Sequence, residues 1–304
     1  MHAVLGRFEP SHRPGDTDLA ERDLNSWDDE WSGTSVKAAL RSRNLRPRKS
    51  LGQSFLRDPI VLAKIAAAAD LATTDTVLEI GPGTGALTDA LAARAGRVVA
   101  VEIDANLVSL LRDRFASVSP VEVVQCDALT FDPTTLGGHF KLVANIPYYI
   151  TGPVIRRFIG GEIQPVLAVL MVQREVARRI VAPPGEMNLL ALGVQYYASA
   201  TTLFRVPAGA FYPRPKVDSA VVKIVPRRSP GPTDEEVFSL ARAGFGMRRK
   251  QLLNSLSAGL GMQKDSTAAL LHGAGIAPTS RAEDLGVGDW ERLAGVWRVE
   301  TGAR

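Results

Sequence analysis

The sequence predicts an α/β fold, a mostly parallel seven-stranded sheet with helices on both faces, plus a small C-terminal all-helical domain. Three observations carry this expectation. From Thr76 onward, short apolar runs rich in valine and isoleucine alternate with stretches of helical period, the pattern of βαβ units. A glycine-rich turn, Gly81 to Gly85, joins the first of these runs to the stretch after it. Beyond SPGPT (Ser229 to Thr233) everything reads as helix and turn.

Taken in order, residues 1–40 are polar and aperiodic apart from a short helical pattern around Asp18 to Trp31, and are expected to form a flexible acidic extension. Residues 41–228 are expected to form the α/β domain. Its strands are placed at Thr76 to Ile80, Val98 to Ile103, Val121 to Gln125, Phe140 to Asn145 and Val166 to Val172. Helices are expected at Pro59 to Ala69, Ala86 to Ala95, Asn106 to Phe115, Gly152 to Ile159 and Arg174 to Val181. Two further strands near Thr201 to Val206 and Ser219 to Val225 complete seven. Residues 233–304 are expected to form the helical domain, with helices over Asp234 to Phe245, Arg249 to Leu260, Ser266 to Ala274 and Val287 to Val299.

Composition narrows the function. Of 304 residues, 45% are hydrophobic and 22% charged, enough to build a sizeable core. The single cysteine, Cys126, excludes an intrachain disulfide and points to a reducing, cytoplasmic setting. Four scattered histidines predict no metal site. No apolar run approaches the roughly 18 residues a membrane span needs, and the N-terminus does not read as a signal peptide. The first 40 residues carry four basic and eight acidic side chains, whereas Arg205 to Lys250 carry ten basic and four acidic ones. Such a basic stretch suits a polyphosphate partner.

VLEIGPGTGALT (Val77 to Thr88) places Gly81, Gly83 and Gly85 between a strand and a helix, where the backbone can approach a ligand closely. The next strand ends VEID, so Glu102 can accept from both ribose hydroxyls of an adenosine. The third ends QCDAL, offering Asp127 to an adenine amino group. A dinucleotide oxidoreductase normally spaces its glycines G-x-G-x-x-G to seat a pyrophosphate. Here Glu79 precedes G-x-G-x-G, which suits a ligand without phosphate. The loop and two acids together look like the S-adenosylmethionine site of a Rossmann-like class I methyltransferase.

The fourth strand ends NIPYY, Asn145 to Tyr149. An adenine N6 lone pair is delocalised into the ring and attacks well only when acceptors hold its two hydrogens. The Asn145 side-chain oxygen and the Ile146 or Pro147 carbonyl can be those acceptors. Pro147 fixes φ and lacks a competing donor. Tyr148 offers a stacking face for an extruded base, worth about 1–3 kcal/mol. Tyr149 is expected to pack or support the backbone.

Seven ordered motifs, RKSLGQSFLRD, EIGPGTGALT, VEID, CDAL, NIPYYIT, FYPRPKVDSAVV and RRKQLLNSL, then resemble the small-subunit ribosomal RNA adenine N6,N6-dimethyltransferases of the KsgA type, from about Arg46 to Trp297. The resemblance implies dimethylation of two adjacent adenosines in a hairpin loop near the 3′ end of small-subunit rRNA within a 30S precursor, with S-adenosylmethionine as methyl donor. By matching positions it implies that Ser54 and Leu56, with Gln53 beside them, close over the cofactor. It further implies that Gly81 contacts the amino-acid part, Glu102 the ribose and Asp127 the adenine, with Gly83 also in the cofactor site. Asn145 bridges cofactor and amine, and Tyr148 with Phe211 sandwiches the base. Ser54 departs from the family, which mostly has Asn or His there; its shorter hydroxyl implies a water-mediated contact. Arg214, Lys216, Arg248, Arg249 and Lys250 are expected to meet RNA phosphates, the last three opening a helix, and a monomer is expected.

Three alternatives stay open on the sequence. A large-subunit rRNA adenine methyltransferase of the macrolide-resistance type shares most of these motifs, although FYPRPKVDSAVV and the long helical tail favour the small subunit. A ribosome-assembly checkpoint that binds immature subunits is the second. An NAD-dependent oxidoreductase is the third, disfavoured by its glycine spacing.

Overall fold

The computed structural model describes residues 33–48, 51–231, 233–247 and 249–301. Its elements run α1 (Gly33–Ser42), β1 (Phe55–Leu56), α2 (Pro59–Ala68), β2 (Thr76–Ile80), α3 (Ala86–Ala92), β3 (Arg97–Glu102), α4 (Ala105–Arg114), β4 (Val121–Gln125) and β5 (Phe140–Asn145). They continue with α5 (Thr151–Ile159), β6 (Leu167–Gln173), α6 (Arg174–Ile180), α7 (Leu189–Gln195), β7 (Ala198–Val206), β8 (Phe211–Tyr212) and β9 (Ser219–Pro226). The chain then becomes helical: α8 (Asp234–Phe245), α9 (Leu252–Leu260), α10 (Lys264–Gly273) and α11 (Val287–Thr301).

Seven strands form one sheet in the order β4-β3-β2-β5-β6-β9-β7, parallel except for β9, which runs antiparallel to both neighbours. The central strands are apolar on both faces because helices cover both. Along β5 and β6, alternate residues Leu142, Ala144, Leu170 and Val172 face one cluster and Val143, Val169 and Met171 the other. The first cluster takes in Val154, Ile155 and Phe158 of α5 and Ala177 and Ile180 of α6. The second takes in Val61 and Ile65 of α2 and Leu87 and Leu91 of α3. Helix starts follow local chemistry. Asp58 accepts from the Ile60 and Val61 N–H groups ahead of Pro59, and Asp104 caps α4 through Asn106 N–H.

The structure corrects several expectations. The boundary at residue 40 falls inside α1, whose Val36 and Leu40 are buried with Phe55 and Leu107, so ordered chain begins before it; the helix expected around Asp18 to Trp31 lies outside the described residues. Helix α9 starts at Leu252, with Gln251 at the N-cap position, not at Arg249. Arg249 and Lys250 lie in the turn before it, next to the positive end of the helix dipole rather than inside the first turn. Helix α7 was not foreseen, although Asn188 accepts from the Leu190 and Ala191 N–H groups as a helix cap. Nor was the separate two-stranded ladder of β1 with β8, in which Phe55 faces Tyr212 and Leu56 faces Phe211.

The helices after Ser229 do not have a core of their own. Val237, Leu240 and Leu252 join the same apolar cluster as Leu192, Val194, Tyr196 and Tyr197.

Candidate active site

Strand order reverses at β2, which is flanked by β3 on one side and β5 on the other. The carboxyl ends of β2 to β5 therefore open onto one crevice, the usual ligand site of such sheets. Register sets the level of each functional residue: Ile80 lies beside Val101 and Ala144, and Glu102 beside Gln125. A cavity of about 290 Å³ occupies this crevice, and its lining includes Gln53, Ser54, Leu56, Gly81, Gly83, Glu102, Asp127, Asn145, Pro147 and Tyr148. That volume is at the lower end of the range for small-molecule sites.

The glycines have individual reasons. Gly81, at φ 69°, donates its N–H to Val101 O at 3.0 Å and passes close to Pro147. Gly83, at φ 61°, leaves room for the Phe55 ring: a Cβ there would stand 2.8 Å from Phe55 Cδ1. Glu102 is held by backbone donors, with Oε1 accepting from Ile103 and Asp104 N–H at 2.9 Å each and Oε2 from Gly83 N–H at 3.4 Å. Burial raises its pKa against these bonds. Asp127 Oδ1 accepts from Leu129 N–H at 2.9 Å.

A third carboxyl in the lining, Glu79, is 1% exposed. Burial pushes it up to about 8, with the nearby Thr88 hydroxyl opposing the shift, so it is mainly a neutral acid at pH 7. Its Oε2 makes no well-formed hydrogen bond. Among the described residues the lining contains these three carboxyls and no Lys, Arg or His. Such a donor set repels a pyrophosphate and accepts hydroxyls, amines and positive charge, so it fits an adenosine carrying a sulfonium and an ammonium.

The segment from Leu51 to Leu56 roofs the cavity. Gln53 Oε1 accepts from Arg48 N–H at 2.7 Å, and Gln53 Nε2 donates to Asp104 Oδ2 at 3.0 Å, tying the roof to the start of α4. The Ser54 hydroxyl donates to the Pro213 carbonyl. That bond joins the roof to the loop after β8 and commits the hydroxyl proton, while the oxygen keeps lone pairs with which to accept from a water. Asn145 Nδ2 donates to Ser54 O at 3.4 Å, which orients the amide with Oδ1 as the acceptor.

Tyr148 and Tyr149 part company. The Tyr148 hydroxyl lies 2.8 Å from Ser219 Oγ at the buried start of β9. Burial raises its pKa, so the ring remains a neutral phenol. Tyr149, expected to pack or to support the backbone, lines the cavity with its ring against Gly52 and is 56% exposed. Phe211 is not brought to the cavity either. It is 3% exposed and sits in the core with Leu56, Met171 and Val221, because β8 pairs with β1 and turns the ring inward. Arg214 and Lys216 are exposed on the loop between β8 and β9, and Arg249 and Lys250 are exposed before α9. Arg248 lies outside the described residues. Ser219 and the Gln53–Asp104 tie have no signature in the sequence, since neither shows until the chain folds.

Comparison with known proteins agrees with this architecture. The sequence profile of the ribosomal RNA adenine dimethylase family matches residues 44–297. A protein of Dehalococcoides mccartyi named ribosomal RNA small subunit methyltransferase A is 48% identical over 86% of this chain and 92% of its own length. The protein of the same name from Pelotomaculum thermopropionicum is 44% identical over 85% of this chain and 94% of its own. Among solved structures, a dimethyladenosine transferase from Plasmodium falciparum superposes with a TM-score of 0.69 at 29% identity, covering 82% of this chain and 98% of that one. The 23S rRNA methyltransferase ErmE gives 0.65 at 30% identity, covering 80% and 98%. With the profile spanning most of the sequence and relatives this similar over nearly their whole length, the chain belongs to the ribosomal RNA adenine dimethylase family.

Proposed function

We propose that this protein transfers methyl groups from S-adenosylmethionine to the N6 atoms of adenines in small-subunit rRNA. The observation that carries the reading is the tie of Asn145 Nδ2 to Ser54 O, which presents Oδ1 as an acceptor at the end of β5 beside Glu102 and Asp127. When bound, the sulfonium ligand supplies an electrophilic methyl and leaves as a neutral thioether as the nitrogen lone pair forms the new C–N bond. Glu102 and Asp127 would hold its ribose and adenine, and the turn at Gly81 and Gly83 its amino-acid part, under the roof of Gln53, Ser54 and Leu56.

Asn145 Oδ1 accepts one N6 hydrogen. Pro147 O accepts from Ile150 N–H at 3.0 Å and keeps one lone pair, so the second acceptor is the Ile146 or the Pro147 carbonyl. Held by both, the nitrogen is drawn out of conjugation and its lone pair turns toward the methyl. After transfer, the positively charged nitrogen releases a proton to water; one N–H remains for a second round and none thereafter, so transfer stops at two. Catalysis is positioning and electrostatics, without a general base. Tyr148 provides the stacking face. Phe211 reaches the other face of the base only if β8 shifts.

In this reading residues 41–228 carry the chemistry and 233–304 hold RNA. Arg214, Lys216, Arg249 and Lys250 meet phosphates of the substrate, which is met by a monomer in the cytoplasm as part of a 30S precursor. No helix among the described residues is long and apolar enough to cross a membrane. The test is methylation of purified small- and large-subunit particles from cells lacking the gene, with mass spectrometry for N6,N6-dimethyladenosine. Dimethylation confined to small-subunit RNA supports the reading; transfer to large-subunit RNA alone, or to neither, overturns it. Glu102→Ala separates catalysis from assembly binding: it should abolish transfer while particles still bind.

A further inference from the structure

Two consecutive tyrosines end the Asn-Ile-Pro-Tyr-Tyr run, and the fold treats them oppositely. Tyr148 is anchored at its tip by Ser219, whereas Tyr149 leaves the core and stands at the mouth of the cavity, 56% exposed. Leaving an aromatic ring this exposed forgoes apolar burial that a ligand beneath it would recover. Two facts fix where the ring lies. Its Cδ1 is 3.5 Å from the position a Cβ on Gly52 would take, so the ring rests on the backbone of the roof segment. Gly52 has φ 59°, a conformation that favours glycine and brings its bare backbone against the ring. Tyr149 lines the same cavity as Glu102 and Asp127, and partial burial, with the charges of Asp127 and Glu102, raises its phenol pKa.

We propose that Tyr149 is a ligand-retaining residue: its ring, resting on Gly52 and lining the cavity that holds Glu102 and Asp127, closes the mouth over the adenosyl part of the bound methyl donor. This rests on the function proposed above. The roof and the end of β5 are then two halves of one closure, with Tyr149 as the contact between them. Because the contribution comes from the ring, phenylalanine can replace tyrosine. Because the ring acts after the ligand is seated, its removal speeds escape more than it slows entry.

The test uses the full chain with S-adenosylmethionine and S-adenosylhomocysteine as probes, calorimetry for Kd and stopped-flow fluorescence for the rate constants. Tyr149→Phe should bind within about twofold of wild type, and Tyr149→Ala should raise Kd about tenfold through faster dissociation. The melting temperature of the ligand-free protein should not move, because a mostly exposed ring contributes little to the core. Wild-type binding with an unchanged Kd in Tyr149→Ala overturns the role of Tyr149 alone, as does a loss confined to the association rate. A Tyr149→Phe variant as weak as Tyr149→Ala shows that the hydroxyl acts and overturns the ring-closure mechanism. Failure of the wild-type protein to bind either probe removes the proposed function, and this inference with it.

Discussion

Asn145 and Glu79 stand at the ends of neighbouring strands, yet their environments give them opposite tasks. Asn145 is held by Ser54 O, which leaves its oxygen as the acceptor proposed above for the substrate amine. Removing that oxygen by Asn145→Ala should lower kcat by about 10²- to 10³-fold, the usual loss for one preorganised polar contact in a transition state. Cofactor titration should show Kd changed far less, and an unaltered kcat would sink the positioning mechanism. Glu79 is a buried acid whose folded pKa, about 8, lies above its ordinary value of 4.5. The native state therefore holds a proton that the unfolded chain releases between these values, so its stabilising effect is complete below about pH 4.5 and lost as pH rises through about 8. Glu79→Gln cannot lose that proton. Across denaturant titrations from pH 5 to 9, the variant should gain on wild type with rising pH, by on the order of a few kcal/mol. A constant difference would mean that Glu79 ionises normally. At this scale much of the site was legible in the sequence, because strand-end acids and the NIPY run announce their chemistry by type and spacing. Ser54 was not: its hydroxyl is committed to a carbonyl 159 residues away, a partner that only the tertiary fold supplies.

At the level of elements, the sheet was readable because its strands are buried on both faces and appear as apolar runs bounded by turn residues; β2, β4 and β5 begin and end where the sequence places them. What escaped were elements without such a signature. The β1–β8 ladder is two residues long on each side and is created by pairing across more than 150 residues, so no local period marks it. Yet it determines the site, because it turns Phe211 inward and brings Phe55 over the glycine turn. Gly83 is where these two elements meet. Gly83→Ala would add a Cβ 2.8 Å from Phe55 Cδ1 at a φ of 61°, forcing the ring and the roof segment aside. Strain of this kind costs about 1–2 kcal/mol in stability. Calorimetric titration should show a larger drop in methyl-donor affinity than in RNA affinity, since the displaced ring lines the cofactor cavity; equal drops would indicate general unfolding instead.

For the whole molecule, the decisive feature is how the C-terminal helices are fastened to the sheet, since the proposed seating of RNA across both requires a fixed relation between them. The fastening is polar at its centre. Tyr196 and Tyr197, just after α7, donate to Asp234 Oδ1 and Oδ2 at 2.9 and 2.8 Å, and Gly231 N–H donates to Oδ2 at 2.9 Å. Arg228 lies over the Tyr196 ring, 4.3 Å from its centre, and pairs with Asp234 at 3.5 Å and with Glu291 of α11. Asp234 is buried, so its charge is balanced by this set of donors rather than by water. Burial first, and then bonding to Asp234, pushes the Tyr196 phenol up to about 12, so both tyrosines remain donors at physiological pH. Asp234→Asn keeps the shape but replaces one acceptor oxygen by an N–H₂ facing a phenolic donor, which should cost about 2–3 kcal/mol because a charge-assisted bond is removed. If the joint sets the angle between catalytic crevice and RNA-holding helices, the variant should retain wild-type affinity for S-adenosylmethionine while its KM for the ribosomal particle rises. If RNA sits on Arg249 and Lys250 as proposed, looser seating should also flatten the salt dependence of RNA binding, by about 0.7–0.9 in log–log slope for each phosphate no longer neutralised. Unchanged KM and slope in a variant that melts earlier would show that the joint serves stability alone.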